Sequence, residues 1–156
     1  MATVALDSKV PDFTAASTAG EPFSLKDARG DKLVLYFYPK DATPGCTTEG
    51  ENFRDLHARF RRAGTQIFGV SRDTLSSHDK FRSKMKFPFH LLSDTDEVLC
   101  RLFDVIHEKN MYGRKMLGVV RSTFLIDSKG VLRREWRKVQ VTGHAEEVLE
   151  AARSVD

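Results

Sequence analysis

The strongest constraint on the fold is a polar turn that separates an apolar run from an amphipathic segment. The run LVLYFYP, residues 33–39, is rich in β-forming side chains and too short for a helix, as in strands buried on both faces. After the turn, four apolar residues have the spacing of one helical face: Phe53, Leu56, Phe60 and Ala63. Gly64 is a natural helix stop. The sequence therefore predicts a central strand, a tight turn and a helix that ends near Gly64.

Strands and helices continue to alternate after this unit. The segments TQIFGVS (65–71) and FHLLS (89–93) are typical of strands, and the apolar spacing within 76–86 and 98–103 is typical of helices. This order of elements predicts a βαβ arrangement with parallel neighbouring strands.

Both ends of the chain show hairpin patterns. DFTAAST and EPFSL lie on either side of Gly20, and STFLID and VLRREWRKV flank the turn SKG. A last helix is predicted from about His144. The elements together predict an α/β protein with a thioredoxin-like fold. We expect a mixed central β-sheet flanked by helices, an N-terminal β-hairpin extension, and one domain spanning residues 1–156.

The composition argues against several classes of protein. With 40% hydrophobic and 30% charged residues, the chain of 156 residues has the balance of a globular domain. The longest apolar run spans residues 33–38, and the first residues lack a signal-peptide pattern, so we expect no membrane partner and a cytoplasmic location. The net charge of +3 comes from basic residues interspersed with acidic ones, which argues against a nucleic-acid partner.

The chain has two cysteines, Cys46 and Cys100, which indicates a reducing compartment rather than a disulfide framework. Cys46 ends the turn PKDATPGC, just before the predicted helix, where free N–H groups and the helix dipole favour a thiolate. Its neighbours are small or polar, so a reactive cysteine is favoured over an inert buried one. A capping box of Thr48 with Glu51 is an alternative helix start, and it would leave Cys46 outside the first turn.

The pattern P-x-x-x-T-x-x-C, here Pro39, Thr43 and Cys46, resembles the active-site signature of the peroxiredoxins. The longer string YPKDATPGCT, followed by Glu49 and Phe53, is similar to the bacterioferritin comigratory protein group, also called peroxiredoxin Q. The similarity continues through FHLLSDTDEVLCRLFDV and MYGRKMLGVVRSTFLIDSKG to the closing helix, so it covers nearly the whole chain. The resemblance implies a thiol-dependent hydroperoxide reductase that needs no bound cofactor.

The resemblance also implies roles for individual residues. Cys46 would attack hydrogen peroxide or an organic hydroperoxide, Thr43 would hold the peroxide oxygens, and Pro39 would shield the pocket from water. Arg121, just before STFLID, matches the arginine that stabilises the thiolate and the developing negative charge. Glu49 matches an acid of the family pattern, and we expect it to be supporting rather than catalytic.

The sulfenic acid formed on Cys46 must be reduced by a second thiol. Many relatives carry a resolving cysteine five residues after the first one, where this chain has Glu51, and others carry it near 80–86, where this chain has none. Cys100 lies in the apolar stripe EVLCRLF, which favours a core residue. We therefore expect a one-cysteine mechanism with an external reductant: a small thiol, a glutaredoxin or a thioredoxin. A two-cysteine mechanism in which Cys100 resolves is the alternative.

The five histidines do not occur at metal-site spacing with each other or with cysteine, so we predict no metal site. A cysteine hydrolase that pairs Cys46 with His57 stays open, although the sequence shows no third member for it. A catalytically silent thioredoxin-like binding module also stays open, and the intact P-x-x-x-T-x-x-C pattern counts against it. Relatives of this group are often monomers, so we expect a monomer or a weak dimer.

Overall fold

The structure is a computed structural model, and it describes residues 3–155. Strands β1–β5, β8 and β9 form a mixed seven-stranded sheet, and β6 and β7 form a separate hairpin. In chain order the strands are β1 (Thr14–Ser17), β2 (Phe23–Ser24), β3 (Lys32–Phe37), β4 (Thr65–Ser71), β5 (His90–Ser93), β6 (Ile106–Met111), β7 (Arg114–Val119), β8 (Ser122–Ile126) and β9 (Leu132–Arg137).

Helices cover both faces of the sheet. They are a short 3-10 helix (Leu25–Ala28), α1 (Pro44–Arg62), α2 (Leu75–Met85), α3 (Val98–Leu102) and α4 (His144–Ser154). Helix α2 begins where the Oγ1 of Thr74 accepts a hydrogen bond from the backbone N–H of Ser77, a standard N-cap. Among the described residues, no helix is both long enough and apolar enough to cross a lipid bilayer.

The sheet has the order β2-β1-β5-β4-β3-β8-β9. Strands β3, β4 and β5 run parallel, and β8 pairs antiparallel with the other side of β3, so Leu35 lies opposite both Phe68 and Phe124. The predicted mixed sheet, its helical flanks and both hairpins are confirmed. The N-terminal hairpin is joined to the sheet through β1, which pairs with β5 as well as with β2.

The sheet separates two hydrophobic cores, because successive side chains of a strand point to opposite faces. Leu33, Leu35 and Phe37 of β3 belong to the first core, which α3 and the 3-10 helix cover. Val34 and Tyr36 belong to the second core, which α1, α2 and α4 cover. A side chain on α1 and a side chain on α3 are therefore on different sides of the sheet.

Helix α1 begins earlier than the capping-box alternative requires. Thr43 is the extended residue before the helix, and Pro44 is the first helical residue. Proline suits this position because its φ is already helical and its missing N–H would have no partner there. Thr48 lies inside the helix and donates its hydroxyl to the carbonyl of Pro44 at 3.1 Å. The capping box of Thr48 with Glu51 is therefore wrong, and Cys46 lies in the first turn.

The hairpin of β6 and β7 follows no pattern in the sequence that would predict it. Most of its described side chains are exposed, so no alternation of apolar and polar residues marks the two strands. Its turn consists of Tyr112 and Gly113, which both have a positive φ, 53° and 76°. This is the backbone of a type I′ turn, but the usual Asn-Gly or Asp-Gly signal is absent.

Gly69 of β4 lies where two side chains of the second core close over the strand. A Cβ atom at this position would lie 2.8 Å from Leu91 Cδ2 and 2.8 Å from the Tyr36 ring and hydroxyl. We predict that Gly69→Ala lowers the free energy of unfolding by about 1–3 kcal/mol, because neither buried side chain can yield without strain. Urea denaturation followed by circular dichroism measures the loss. Gly118→Ala is the control, since its Cβ would meet only the flexible Lys109 side chain, at 3.3 Å. Equal losses in both variants would contradict the prediction.

Candidate active site

Cys46 is the third residue of α1 and belongs to the second core, with 2% of its surface exposed. The first N–H groups of a helix have no intrahelical acceptor, and the positive end of the helix dipole lies there. Both features favour a negatively charged group at this position. The local sequence produces this placement because Pro44 starts the helix two residues before Cys46.

Arg121, between β7 and β8, reaches the sulfur of Cys46. Its Nη2 donates a hydrogen bond to Cys46 Sγ at 3.3 Å, and its Nη1 donates to Glu49 Oε1 at 2.6 Å. The planar guanidinium thus binds the Cys46 sulfur and the Glu49 carboxyl at once. A lysine ammonium could not bind both in the same geometry. Gly45 permits this approach, because a Cβ at that position would lie 3.1 Å from Nη2.

Glu49 lies three residues after Cys46 on the same face of α1, and only 1% of its surface is exposed. Burial raises the pKa of the Glu49 carboxyl to about 7, and this effect outweighs the lowering by Arg121. Near neutral pH the carboxyl is therefore present in both its protonated and its ionised form. The charge beside Arg121 therefore changes near neutral pH.

Two buried polar atoms of the second core have no hydrogen-bond partner among the described residues: Glu49 Oε2 and the Tyr36 hydroxyl. Buried polar atoms without a partner are costly and rare. Burial raises the pKa of Tyr36 well above its usual value, and the negative charges of Glu49 and Cys46 raise it further. The Tyr36 hydroxyl therefore keeps its proton. Sequence reasoning treats Tyr36 as a core residue of the apolar run, and its hydroxyl is the one signal against that interpretation.

Thr43 and Pro39 belong to the turn that precedes α1. Thr43 is half-buried, and its hydroxyl donates to the carbonyl oxygen of Lys40 at 2.9 Å instead of capping the helix. Pro39 directly follows β3 and is also half-buried. The described hydrogen bonds of Cys46 Sγ join it to Arg121 and not to these two residues. Their proposed roles toward a substrate stay predictions.

Cys100 belongs to the first core, on the opposite face of the sheet from Cys46. It is fully buried in α3, and its backbone N–H donates to Asp94 Oδ2 at 2.8 Å. Burial raises the pKa of the Cys100 thiol far above its usual value, and the nearby Asp94 carboxylate raises it further. A disulfide requires two Cβ atoms about 3.5–4.5 Å apart, and the sheet between the two thiols prevents this in the folded state.

A second polar cluster, formed by Asp41, Asp73 and His78, lies beside the turn. Potential ligand atoms of these three residues lie within 4.8 Å of one another. Donors already occupy the oxygens concerned: Tyr38 donates to Asp41 Oδ1 at 2.6 Å, and Ser71 donates to Asp73 Oδ2. The cluster is an internal hydrogen-bond network rather than an open metal site. No sequence pattern indicates this cluster, because its members come from different segments of the chain and follow no metal-site spacing.

The histidines do not provide a base for Cys46. His57 packs beside Phe89, with 6.2 Å between the ring centroids. His144 is buried and bonds through Nε2 to the hydroxyl of Thr123 at 2.8 Å, and burial lowers its pKa to about 4. Among the described residues no histidine is hydrogen-bonded to Cys46, so the cysteine hydrolase hypothesis has no support in this geometry.

The model of the AhpC/TSA family matches residues 6–135, a range that contains the turn, α1 and Arg121. The chain is 52% identical to peroxiredoxin Bcp of Xanthomonas campestris pv. campestris over 143 residues, which are 92% of this chain and 89% of that protein.

Two solved structures from Xanthomonas campestris have the same fold. Peroxiredoxin Q superposes with a TM-score of 0.90 at 50% identity and covers 98% of this chain and 97% of its own. The bacterioferritin comigratory protein, studied for its alkyl peroxide reduction activity, superposes with a TM-score of 0.89 at 49% identity, covering 99% and 98%. The likeness in sequence and in structure therefore extends over nearly the whole chain.

Removing the guanidinium from Cys46 tests the electrostatic arrangement. We predict that Arg121→Met slows alkylation of Cys46 by iodoacetamide at neutral pH by about tenfold or more, because the thiolate loses its adjacent positive charge. Mass spectrometry of the alkylated peptide measures the rate. Arg153→Met is the control, since this exposed arginine on α4 pairs with Glu150, and its described contacts are remote from Cys46. An unchanged alkylation rate in Arg121→Met would show that Arg121 does not stabilise the thiolate.

Proposed function

The chain belongs to the AhpC/TSA family and, within it, to the peroxiredoxin Bcp or peroxiredoxin Q group, and we propose that its peroxidase activity uses Cys46 alone. The observation that carries this proposal is the contact of 3.3 Å between Arg121 Nη2 and Cys46 Sγ in the first turn of α1. It combines a nucleophile with a fixed positive charge at one place in the fold.

In the proposed reaction the Cys46 thiolate attacks one oxygen of a hydroperoxide, ROOH. An S–O bond forms, the O–O bond breaks, and its electron pair leaves with the RO oxygen, which then takes up a proton to give water or an alcohol. Cys46 becomes a sulfenic acid. Arg121 lies beside the sulfur, so its positive charge stabilises the thiolate before the reaction. The same charge stabilises the negative charge that develops on the peroxide oxygens.

Thr43 and Pro39 complete the proposed site. The Thr43 hydroxyl donates to Lys40, and its oxygen keeps lone pairs that can accept a hydrogen bond from the peroxide. Pro39 offers no N–H, so it can cover the pocket without competing for the peroxide oxygens. Both residues lie in the turn that leads from β3 into the helix of Cys46.

Glu49 is proposed to control how much of the Arg121 charge acts on Cys46. When Glu49 is ionised, its carboxylate neutralises part of the guanidinium charge through the contact of 2.6 Å. When Glu49 is protonated, more of that charge is available to the sulfur. Because the pKa of Glu49 is about 7, this balance shifts near neutral pH.

An external thiol is proposed to return Cys46 to its reduced form. The thiol condenses with the sulfenic acid, releasing water and forming a mixed disulfide, and a second thiol then releases Cys46. Two observations support this route over resolution by Cys100: Cys100 is fully buried, and it lies on the other face of the sheet. A thioredoxin, a glutaredoxin and a small thiol are the candidate reductants.

We propose hydrogen peroxide and organic hydroperoxides as substrates. Support comes from the Xanthomonas campestris protein, which was studied for alkyl peroxide reduction and is 49% identical to this chain. The single domain, the cytoplasmic location and the monomeric or weakly dimeric state stay predictions.

The assignment of the two cysteines is tested by peroxidase turnover with a small thiol as reductant. We expect Cys46→Ser to lose all measurable turnover, because no other described thiol is placed to react. Cys100→Ser should keep the wild-type rate within about threefold, since a buried core cysteine is replaced by a residue of similar size. Loss of turnover in Cys100→Ser, with the melting temperature unchanged, would favour the two-cysteine mechanism instead.

The role of Glu49 is tested by the pH dependence of the peroxide reaction. Below pH 7 the wild-type carboxyl is mostly protonated, and Glu49→Gln should react at a similar rate. Above pH 7 the wild-type carboxylate withdraws charge from Arg121, so the ratio of the Glu49→Gln rate to the wild-type rate should rise, by up to about tenfold. Stopped-flow rate constants across this range measure the ratio. Glu51→Gln is the control, because Glu51 pairs with Arg54 on the helix surface. A ratio for Glu49→Gln that does not change with pH would contradict the proposal.

A further inference from the structure

The buried polar cluster beside the peroxidase site ties the active-site turn to α2. Asp41 lies in this turn, and its carboxylate accepts hydrogen bonds from three side chains. They are the hydroxyl of Tyr38 at 2.6 Å, the hydroxyl of Ser77 at 2.8 Å and Nδ1 of His78 at 2.7 Å. The backbone N–H of Asp41 donates to Asp73 Oδ2 at 3.0 Å. Contacts from three segments of the chain therefore hold one residue of the turn.

Both ring nitrogens of His78 face acceptors. Nε2 lies 2.9 Å from the carbonyl oxygen of Leu92, which can only accept, so Nε2 carries a proton. Nδ1 faces Asp41, which is ionised: burial raises the pKa of Asp41, but the hydrogen bonds from His78 and Tyr38 outweigh burial and leave the pKa below its usual value. An ionised carboxylate can only accept, so Nδ1 also carries a proton. His78 is therefore an imidazolium.

The imidazolium is fully buried, and Asp41 is 7% exposed. A buried charge is stable only when it is paired and its polar atoms are bonded, and both conditions hold here. Removal of one partner would leave the other charge buried and unpaired, which costs more than removal of both. Asp73 lies in the same cluster as the pair, and Lys40, Lys80 and Lys84 line the cavity beside Asp41.

The turn requires these anchors because its backbone is strained. Ala42, directly after Asp41, has a φ of 63°, a left-handed conformation that residues with a Cβ rarely adopt. Thr43 follows, and the first turn of α1 begins at the next residue. If the turn moved, Cys46 would shift relative to the backbone of Arg121, which adjoins the start of β8 and is not part of the turn.

We infer that His78 is a positioning residue of the peroxidase, a buried imidazolium that fixes Asp41 and thereby the turn that places Cys46 against Arg121. This inference rests on the proposed role of Cys46. The described hydrogen bonds of His78 join it to Asp41 and Leu92 and not to Cys46, so it acts through the turn.

The protonation state of His78 can be measured in the wild-type protein, independently of any variant. In proton and nitrogen-15 NMR spectra of the reduced protein at neutral pH, we expect two ring N–H protons for His78 that exchange slowly with water. The ring nitrogen shifts should be those of an imidazolium. One ring proton, with one nitrogen at the shift of an unprotonated atom, would overturn the inference.

The positioning role is tested by His78→Asn, whose amide can still donate to Asp41 but carries no charge. We expect the rate constant with hydrogen peroxide to fall by about 10-fold to about 100-fold in protein that is still folded. A distant mutation that misplaces a reacting group by a small distance has an effect of this size. The double variant Asp41→Asn/His78→Asn removes both charges together. Its rate constant should therefore fall by a smaller factor than the product of the factors for the two single variants. His107→Asn, at an exposed histidine, is the control and should react like the wild type.

Two results separate failure of this inference from failure of the proposed function. A wild-type rate in folded His78→Asn, with Cys46→Ser inactive, would overturn the positioning role alone. Activity in Cys46→Ser would overturn the proposed function itself. If His78→Asn does not fold, the NMR measurement on the wild type still decides the charge state, and Asp41→Asn, at the partner residue, tests the positioning.

Discussion

The hydrogen bond from Arg121 to the sulfur of Cys46 is the contact on which the site depends. It joins the start of β8 to the first turn of α1, two elements far apart in the sequence. The central sheet brings the two elements together, because β8 pairs along β3 and the turn from β3 leads directly into α1. Glu49, one helical turn after Cys46, binds the other end of the same guanidinium. The charge beside the sulfur is thus set by the fold before any substrate arrives.

The sheet also determines what the second cysteine can do. Alternation along β3 sends neighbouring side chains to two separate cores, and Cys46 and Cys100 lie in different ones. In the described part of the chain, Cys46 therefore has no thiol partner on its own face of the sheet, which supports the proposed one-cysteine mechanism. This arrangement favours a reductant that approaches the turn from solvent. The polar cluster around Asp41 supports the same turn from the side of α2.

Much of the fold could be predicted from short patterns, because those patterns report local physics. The apolar run of β3 and the spacing of Phe53 and Phe60 reflect burial, and Gly64 marks the end of α1 as expected. The hairpin of β6 and β7 could not be predicted, since exposed strands carry no apolar alternation and its turn lacks the usual residues. The start of α1 depended on whether Pro44 or Thr48 begins the helix, and the conformational preference of proline decides it.

The candidate site also has features that the sequence predicts and features that it does not. The pattern around Cys46 and the resemblance to the peroxiredoxins indicated Arg121 and Glu49, and the structure brings Arg121 to the sulfur and Glu49 to Arg121. Three features could not be predicted, because each depends on burial and on partners distant in the chain. They are the raised pKa of Glu49, the Tyr36 hydroxyl without a partner among the described residues, and the two acceptors that face the ring nitrogens of His78.

The most direct test of the central claim is intact-mass spectrometry of the reduced protein after one equivalent of hydrogen peroxide, in the presence of a carbon nucleophile that traps sulfenic acids. A trapped adduct on Cys46, in the wild type and in Cys100→Ser alike, is the expected result. A loss of two hydrogens in the wild type, mapped to a disulfide between Cys46 and Cys100, would contradict the one-cysteine mechanism. An unmodified Cys46 would contradict its role as the nucleophile.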